Sequence, residues 1–275
     1  MTVEENRRER EIPDPPALTE HGPARVIAMV NQKGGVGKTT STVSLGAALA
    51  GYGRKVLLVD FDPQGALSIS FGLNPNELEP TIFDLLTKAD CHIGDVIIST
   101  DVENLDLLPS NIDLAAAEIQ LVSEVGREYA LMRAMAPVLA EYDYVLIDCQ
   151  PSLGLLTVNA LTAASGVIVP MECEYFALRG VALLQETIGK VSSRLNPDLK
   201  IIGVLATMYD ARTLHSREVL STVQQAFGDL VFQTAIARTI KFPDAAVAGE
   251  PITSFAPGSG GALSYEQLAR EVLAR

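Results

Sequence analysis

The residues Lys33-Gly34-Gly35-Val36-Gly37-Lys38-Thr39-Thr40 bring together what is needed to hold a chain of phosphates. Glycines let the backbone curl so that several N–H groups point inward, and a helix starting there adds the positive end of its dipole. Lys38 is placed to reach the β- and γ-phosphates of a nucleotide, and the Thr39 hydroxyl to hold Mg²⁺. A Gly-rich loop alone is a weak signal; Gly-Lys-Thr after a buried strand and opening a helix is a strong one. Where the general pattern has glycine five residues before Gly37, this chain has Gln32, and a second lysine, Lys33, opens the loop. The loop is therefore a deviant, two-lysine form.

Two carboxylates stand where such a loop needs them. Asp148 ends the apolar run Tyr144-Val145-Leu146-Ile147, the usual place for the acid that holds Mg²⁺ through water. Asp62 lies just past the run Val56–Asp60, at the carboxyl edge of a parallel sheet, where ligand-binding residues collect. Asp60 suits two tasks equally: supporting Thr39 or Lys38, or capping a loop. Cys149 beside Asp148 reads as a small packing residue.

These residues need a frame, and the apolar pattern supplies one. Strands are predicted at Val26–Val30, Val56–Asp60, Leu105–Leu108, Tyr144–Asp148, Gly166–Pro170 and Ile201–Thr207. Helical patterns fall at Thr39–Tyr52, Leu114–Val125, Tyr129–Tyr142, Leu155–Ala164, Ala177–Leu195 and His215–Phe227. Alternation of continuous apolar strands with helices means an α/β fold, a mostly parallel twisted sheet with helices on both faces. With no internal repeat or interior linker, residues 24–275 form a single domain. Residues 1–23, rich in charge and carrying Pro13, Pro15, Pro16 and Pro23, read as a disordered tail.

Composition narrows the function classes. Hydrophobic residues make up 48% of the 275, enough for a sizeable core. No run suits a transmembrane helix or signal peptide, and three widely spaced cysteines (Cys91, Cys149, Cys173) favour a reducing cytoplasm. The net charge of −13 argues against general attraction to nucleic acid. The charge is uneven, however: residues 65–128 carry 12 acidic and 2 basic side chains, residues 190–241 carry 7 basic and 4 acidic. A local basic face is compatible with this asymmetry.

The stretches Asn31–Thr40, Val59-Asp60-Phe61-Asp62-Pro63-Gln64-Gly65, Ile147–Gly154 and Thr207–Thr213 occur in the order found in the ParA/Soj family of chromosome- and plasmid-partitioning ATPases. The chain resembles that family from Arg25 onward. The resemblance implies a P-loop fold and ATP/ADP with Mg²⁺ as ligands. It implies nucleotide contacts from Lys33, Gly34, Gly35, Val36, Gly37, Lys38, Thr39 and Thr40, with Lys33, Lys38 and Asp62 in catalysis and Thr39 and Asp148 at the metal. Lys33 is then the signature lysine that reaches the nucleotide of a second subunit, and Gly34 leaves room at that homodimer interface. Asp62 positions the attacking water. Met208 and Asp210, with the loop at Ala237 and Arg238, fall near the adenine. The family has proline where this chain has Gln150 and Ala237.

Further implied are slow ATP hydrolysis stimulated by a ParB-type centromere-binding partner, and non-specific binding of double-stranded DNA by the ATP dimer. The cation candidates are Arg212, Arg217, Arg238 and Lys241. The expected location is cytoplasmic, and nucleoid-associated when ATP is bound. The alternative is a MinD-like or other positioning ATPase with a protein cargo. A MinD-type protein ends in a basic amphipathic membrane helix, whereas Leu263–Leu273 here is mixed in charge, so no membrane partner is expected. The cysteine spacing of an electron-transfer iron protein is missing.

Overall fold

The structure, a computed structural model, describes residues 12–174 and 177–275, the side chains of residues 177–180 and 182 excepted. The first eleven residues of the expected tail lie outside it. Further along that stretch, Gly22 N donates to Asp143 Oδ1 (2.9 Å) and Arg54 donates to the Pro16 carbonyl (2.8 Å).

The strands are β1 (Arg25–Met29), β2 (Val56–Phe61), β3 (Ile98–Ser99), β4 (Leu105–Leu108), β5 (Tyr144–Cys149), β6 (Gly166–Glu172), β7 (Lys200–Tyr209) and β8 (Val231–Ala237). They form one sheet in the order β3-β4-β2-β5-β1-β6-β7-β8. Every ladder is parallel except that of β3 with β4. All residues of β2, and nearly all of β1 and β5, are buried, as expected for strands covered on both faces. Two apolar clusters account for the two faces. One packs Val59, Ile147 and Val169 against Leu114, Leu131 and Leu156. The other packs Met29, Leu58 and Leu146 against the helices Lys38–Gly51 and Gly260–Leu273. Helix Lys38–Gly51 lies close to the sheet: a Cβ on Gly46 would sit 2.5 Å from Leu58 Cδ2.

All six expected strands are present, and two more complete the sheet. β3 is two residues long and leaves little pattern. In β8, Gln233 and Thr234 interrupt the apolar alternation; the Glu271 carboxylate, from the last helix, accepts a hydrogen bond from each of their N–H groups at 2.7 Å. The helix expected over Tyr129–Tyr142 runs only from Ala130 to Met135 and tightens into a 3₁₀ turn at Ala136–Val138. Pro137, without an N–H donor, explains the break. Likewise Leu114–Gln120 is followed by a 3₁₀ turn through Ser123. No helix among the described residues is long and apolar enough to cross a membrane.

Candidate nucleotide-binding site

The carboxyl ends of β1, β2, β5 and β6 set the site. In register, Met29 pairs with Asp148 and Asp60 with Asp148, so three adjacent strands deliver the loop and both acids to one edge. After β1 the chain turns through Gly35 and Gly37, whose φ angles of 75° and 82° are left-handed and suit glycine. Helix Lys38–Gly51 then starts, with its first N–H groups facing the loop. The loop is braced at both ends. Asn31 donates to the Pro170 carbonyl (2.7 Å) and accepts from Lys33 N (3.0 Å), and Thr207 Oγ1 donates to the Val36 carbonyl (2.9 Å).

Inside this cradle Lys38 is buried, its Nζ 3.4 Å from the Lys33 carbonyl. Burial lowers its affinity for a proton, an effect that the Asp148 charge opposes. Thr39 Oγ1 donates to Asp148 Oδ2 at 2.6 Å. Asp148 is buried, and its other oxygen, Oδ1, has no hydrogen-bond partner. Burial first, and the neighbouring Asp60 next, push its carboxyl well above the usual range. An orphaned buried carboxylate oxygen next to a threonine hydroxyl and a lysine is costly unless a cation joins it. Hard oxygen donors of this kind fit Mg²⁺.

Asp60 takes the loop-capping task of its two. Its Oδ2 accepts from Ser68 N (2.8 Å) and Ser68 Oγ (2.7 Å), and Oδ1 from Asp62 N (3.4 Å). Burial still pushes its carboxyl up to about 6. Asp62, half-buried, accepts from Gln64 N at 3.0 Å.

Lys33 does not point into the cradle. Its Nζ lies 2.8 Å from Glu172 Oε2 and 2.6 Å from Glu174 Oε2, at the end of β6. Those two carboxylates hold the ammonium above the ordinary lysine range, Glu172 contributing most. Glu172 is shared, since Arg238 reaches its Oε1 at 3.2 Å. Sequence reasoning missed both glutamates. The available signal was their place immediately after an apolar strand, on the ligand-binding edge. Gly34 borders this cluster, and a Cβ there would meet nothing within 4 Å. Nothing among the described residues therefore demands a glycine at that position.

Met208, Asp210, Arg212, Ala237 and Arg238 do come together, around an open cleft of about 680 Å³ that also borders Glu172 and Glu174. Met208 has a left-handed φ of 51°, rare for a side chain of its size, and Arg238 approaches its Sδ at 3.5 Å. Of the four DNA candidates, Arg212 is engaged by both oxygens of Asp210 (2.9 Å each) and Arg238 by Glu172. Arg217 and Lys241 make no ion pair among the described residues. Gln150, in place of the expected proline, donates to Glu118 Oε1 at 3.3 Å. Cys149 is buried, its thiol pushed far up by burial and next by Asp148, in keeping with a packing residue.

Comparison with known proteins agrees with this geometry. A family model described as an AAA domain matches residues 24–201. The sporulation initiation inhibitor protein Soj of Bacillus subtilis is 48% identical over 91% of this chain and 98% of its own. The chromosome partitioning protein ParA of Caulobacter vibrioides is 44% identical over 92% of this chain and 95% of its own. Among solved structures, the cobyrinic acid a,c-diamide synthase of Mycobacterium smegmatis, with bound ADP and magnesium, superposes with a TM-score of 0.80. It is 46% identical, and the match covers 91% of this chain and 94% of its own. With its two-lysine phosphate loop, strand-end acids and parallel sheet, the chain belongs to the ParA/Soj family of P-loop ATPases.

Proposed function

We propose that this protein is an ATP-driven partition switch: it binds ATP and Mg²⁺, pairs with a second copy, holds DNA without sequence preference, and lets go after hydrolysis. The observation that carries the reading is the corner where Thr39 meets a buried Asp148 with an unpartnered oxygen, one residue from Lys38. Partition proteins are among its near relatives in sequence, and the ADP and magnesium in the M. smegmatis structure supply the ligand class.

The chain's residues divide the work. The glycine-rich turn and Lys38 bind the phosphates and fix the γ-phosphoryl group in place. Thr39 and Asp148 would hold Mg²⁺, which supplies positive charge to the β- and γ-oxygens. Asp62, at the mouth of the cradle, orients the attacking water. Phosphoryl transfer asks mainly for positioning and charge stabilisation, so these few groups suffice.

The second lysine converts nucleotide binding into association. In the single subunit, Lys33 is satisfied by its own Glu172 and Glu174. A nucleotide presented by a second copy offers denser negative charge, and Gly34 leaves the backbone open for that approach. ATP therefore favours the state in which Lys33 crosses over. Pairing also doubles the exposed cations, with Arg217 and Lys241 foremost and Arg212 and Arg238 available after exchange of partners. Because phosphate contacts multiply in affinity, doubling them separates bound from unbound at a given salt. A ParB-type DNA-bound partner accelerates hydrolysis and ends the cycle.

The test is DNA binding with ATP, ADP or no nucleotide, at two salt concentrations. The expected result is binding with ATP alone, weakening steeply as salt rises; binding indifferent to nucleotide overturns the proposal. Likeness to the M. smegmatis diamide synthase favours a second reading, in which the same corner phosphorylates a carboxylate for amide formation. ADP release that depends on a carboxylate acceptor and an ammonia donor, and not on DNA or a partner, identifies that case.

A further inference from the structure

β7 ends in an irregularity, and a side chain of that irregularity reaches the phosphate loop. From Ala206 to Tyr209 the strand advances three residues while β8 advances two, from Ala235 to Ala237. The extra residue makes a bulge, a device by which a strand re-aims a side chain. Inside it Met208 takes its left-handed φ of 51°. That conformation is unfavourable for a side chain of this size and persists only where the surroundings hold it. On the other side of β7 the ladder stays regular. Thr207 pairs with Glu172, and its carbonyl accepts from Cys173 N at 3.3 Å. The backbone of Thr207 is thus held by β6, while the bulge is confined to the side of β8.

The side chain of Thr207 points to a peptide that matters. Thr207 is buried, and its hydroxyl donates to the carbonyl of Val36, a residue equally buried. The peptide between Val36 and Gly37 is trans and planar, so its carbonyl and the N–H of Gly37 point in opposite directions. Holding the carbonyl toward β7 therefore turns the Gly37 N–H away from β7. That N–H donates to no group among the described residues. It stands immediately before Lys38, at the positive end of the helix Lys38–Gly51, where a free donor favours an anion. The methyl of Thr207 rests against the same point, since a Cβ on Gly37 would lie 3.8 Å from Thr207 Cγ2.

We propose that Thr207 is a positioning residue for the phosphate site: its hydroxyl aims the Gly37 N–H at a phosphate oxygen of the nucleotide, and the left-handed Met208 beside it aims the hydroxyl. Thr207 acts only through the peptide between Val36 and Gly37; it does not touch the nucleotide. Without the hydroxyl, that peptide is free to rotate and to present its carbonyl, an acceptor that repels phosphate. The bulge is then part of the phosphate site, although it lies on a strand at the far side of β6. The inference rests on the ATPase reading given above.

The experiment uses the full chain with its glycines isotope-labelled at nitrogen. It is titrated with ADP and Mg²⁺ and followed by amide NMR, with phosphate release from ATP measured alongside. In the wild type the Gly37 amide proton moves downfield as ADP binds, as an N–H does on donating to a charged oxygen. Thr207→Val keeps the shape and removes the hydroxyl. Its Gly37 signal moves little even at saturating ADP, and kcat/KM for ATP falls by about tenfold, the scale of one hydrogen bond to a charged group. Thr207→Ser, which keeps the hydroxyl, restores both. Met208→Val leaves the hydroxyl in place but disfavours the left-handed φ, and it reproduces the loss. The two changes together, Thr207→Val with Met208→Val, lose no more than either alone, because both act through one contact.

A wild-type movement of the Gly37 amide in Thr207→Val overturns the proposal. A loss in Thr207→Ser as large as that in Thr207→Val also overturns it, because the methyl and not the hydroxyl is then what counts. Additive losses in the double variant take Met208 out of the path and overturn that half. A wild type in which none of Gly34, Gly35 and Gly37 responds to ADP rejects the nucleotide site itself, a result distinct from all of these.

Discussion

Two lysines of one loop could hardly be treated more differently by the fold. Lys38 is buried in a cradle of backbone and carboxylate, with the orphaned Asp148 oxygen at its side. Lys33 is half exposed and balanced between Glu172 and Glu174, with Arg238 on the same glutamate. The first arrangement is rigid and holds its charges at high cost, so a ligand that completes it is bound strongly. The second consists of surface ion pairs, each worth roughly 0–1 kcal/mol, and such pairs exchange partners easily. A switch needs both kinds: a corner that detects the nucleotide, and a clasp weak enough to be released by it.

The contrast can be broken by substitution at each end. Lys38→Ala acts on the buried corner and should weaken ATP binding by about 100-fold or more, the scale expected when one member of a buried charge set is lost. Isothermal titration checks it, and a loss under about fivefold would show that the corner is not where affinity resides. Asp62→Ala should leave ATP binding and pairing intact while phosphate release falls roughly 100-fold, the scale of a lost water-orienting group. Gly34→Val lies between the two ends. With no neighbour within 4 Å among the described residues, the new side chain should change folding stability by less than about 0.5 kcal/mol, yet light scattering with ATP should find only single subunits. Pairing that survives this change removes Gly34 from the interface. The smallest effect belongs to the clasp. Glu172→Gln together with Glu174→Gln should lower the ATP concentration needed for half-maximal pairing by roughly two- to fivefold. An increase would mean that the glutamates assist pairing rather than restrain it.

How much of this was written in the sequence differs between the same two ends. The loop, Thr39, Asp60 and Asp148 sit at the ends of apolar runs, and a strand end on a parallel sheet is a place with a known direction. Their meeting follows from the topology alone. The partners of Lys33 lie 139 and 141 residues away, on a strand whose order in the sheet no local pattern states. The choice of Ser68 by Asp60 was equally hidden, because it depends on how the chain folds back after Gly65. β8 escaped notice because Gln233 and Thr234 interrupt its apolar run, while the backbone N–H groups of both are held by Glu271 of the last helix, a tertiary contact that no local pattern states. The cations of the basic stretch were legible as a composition, whereas the engagement of Arg212 and Arg238 by nearby carboxylates required coordinates.

The register of β1, β5 and β2 has a consequence for the life of the chain before it is a switch. Asp148 is aligned with Met29 on one side and with Asp60 on the other. The three strands enter the sheet from widely separated positions in the chain, and the middle one is the last to be synthesised. Until β5 slides between its neighbours, the loop has a lysine and a threonine but lacks Asp148, the acid that faces Thr39. A growing chain that ends before Cys149 should therefore be blind to nucleotide. The first moment at which ATP can be felt is also the moment at which the centre of the sheet closes, so the ligand favours the finished fold and has nothing to grip in an unfinished one.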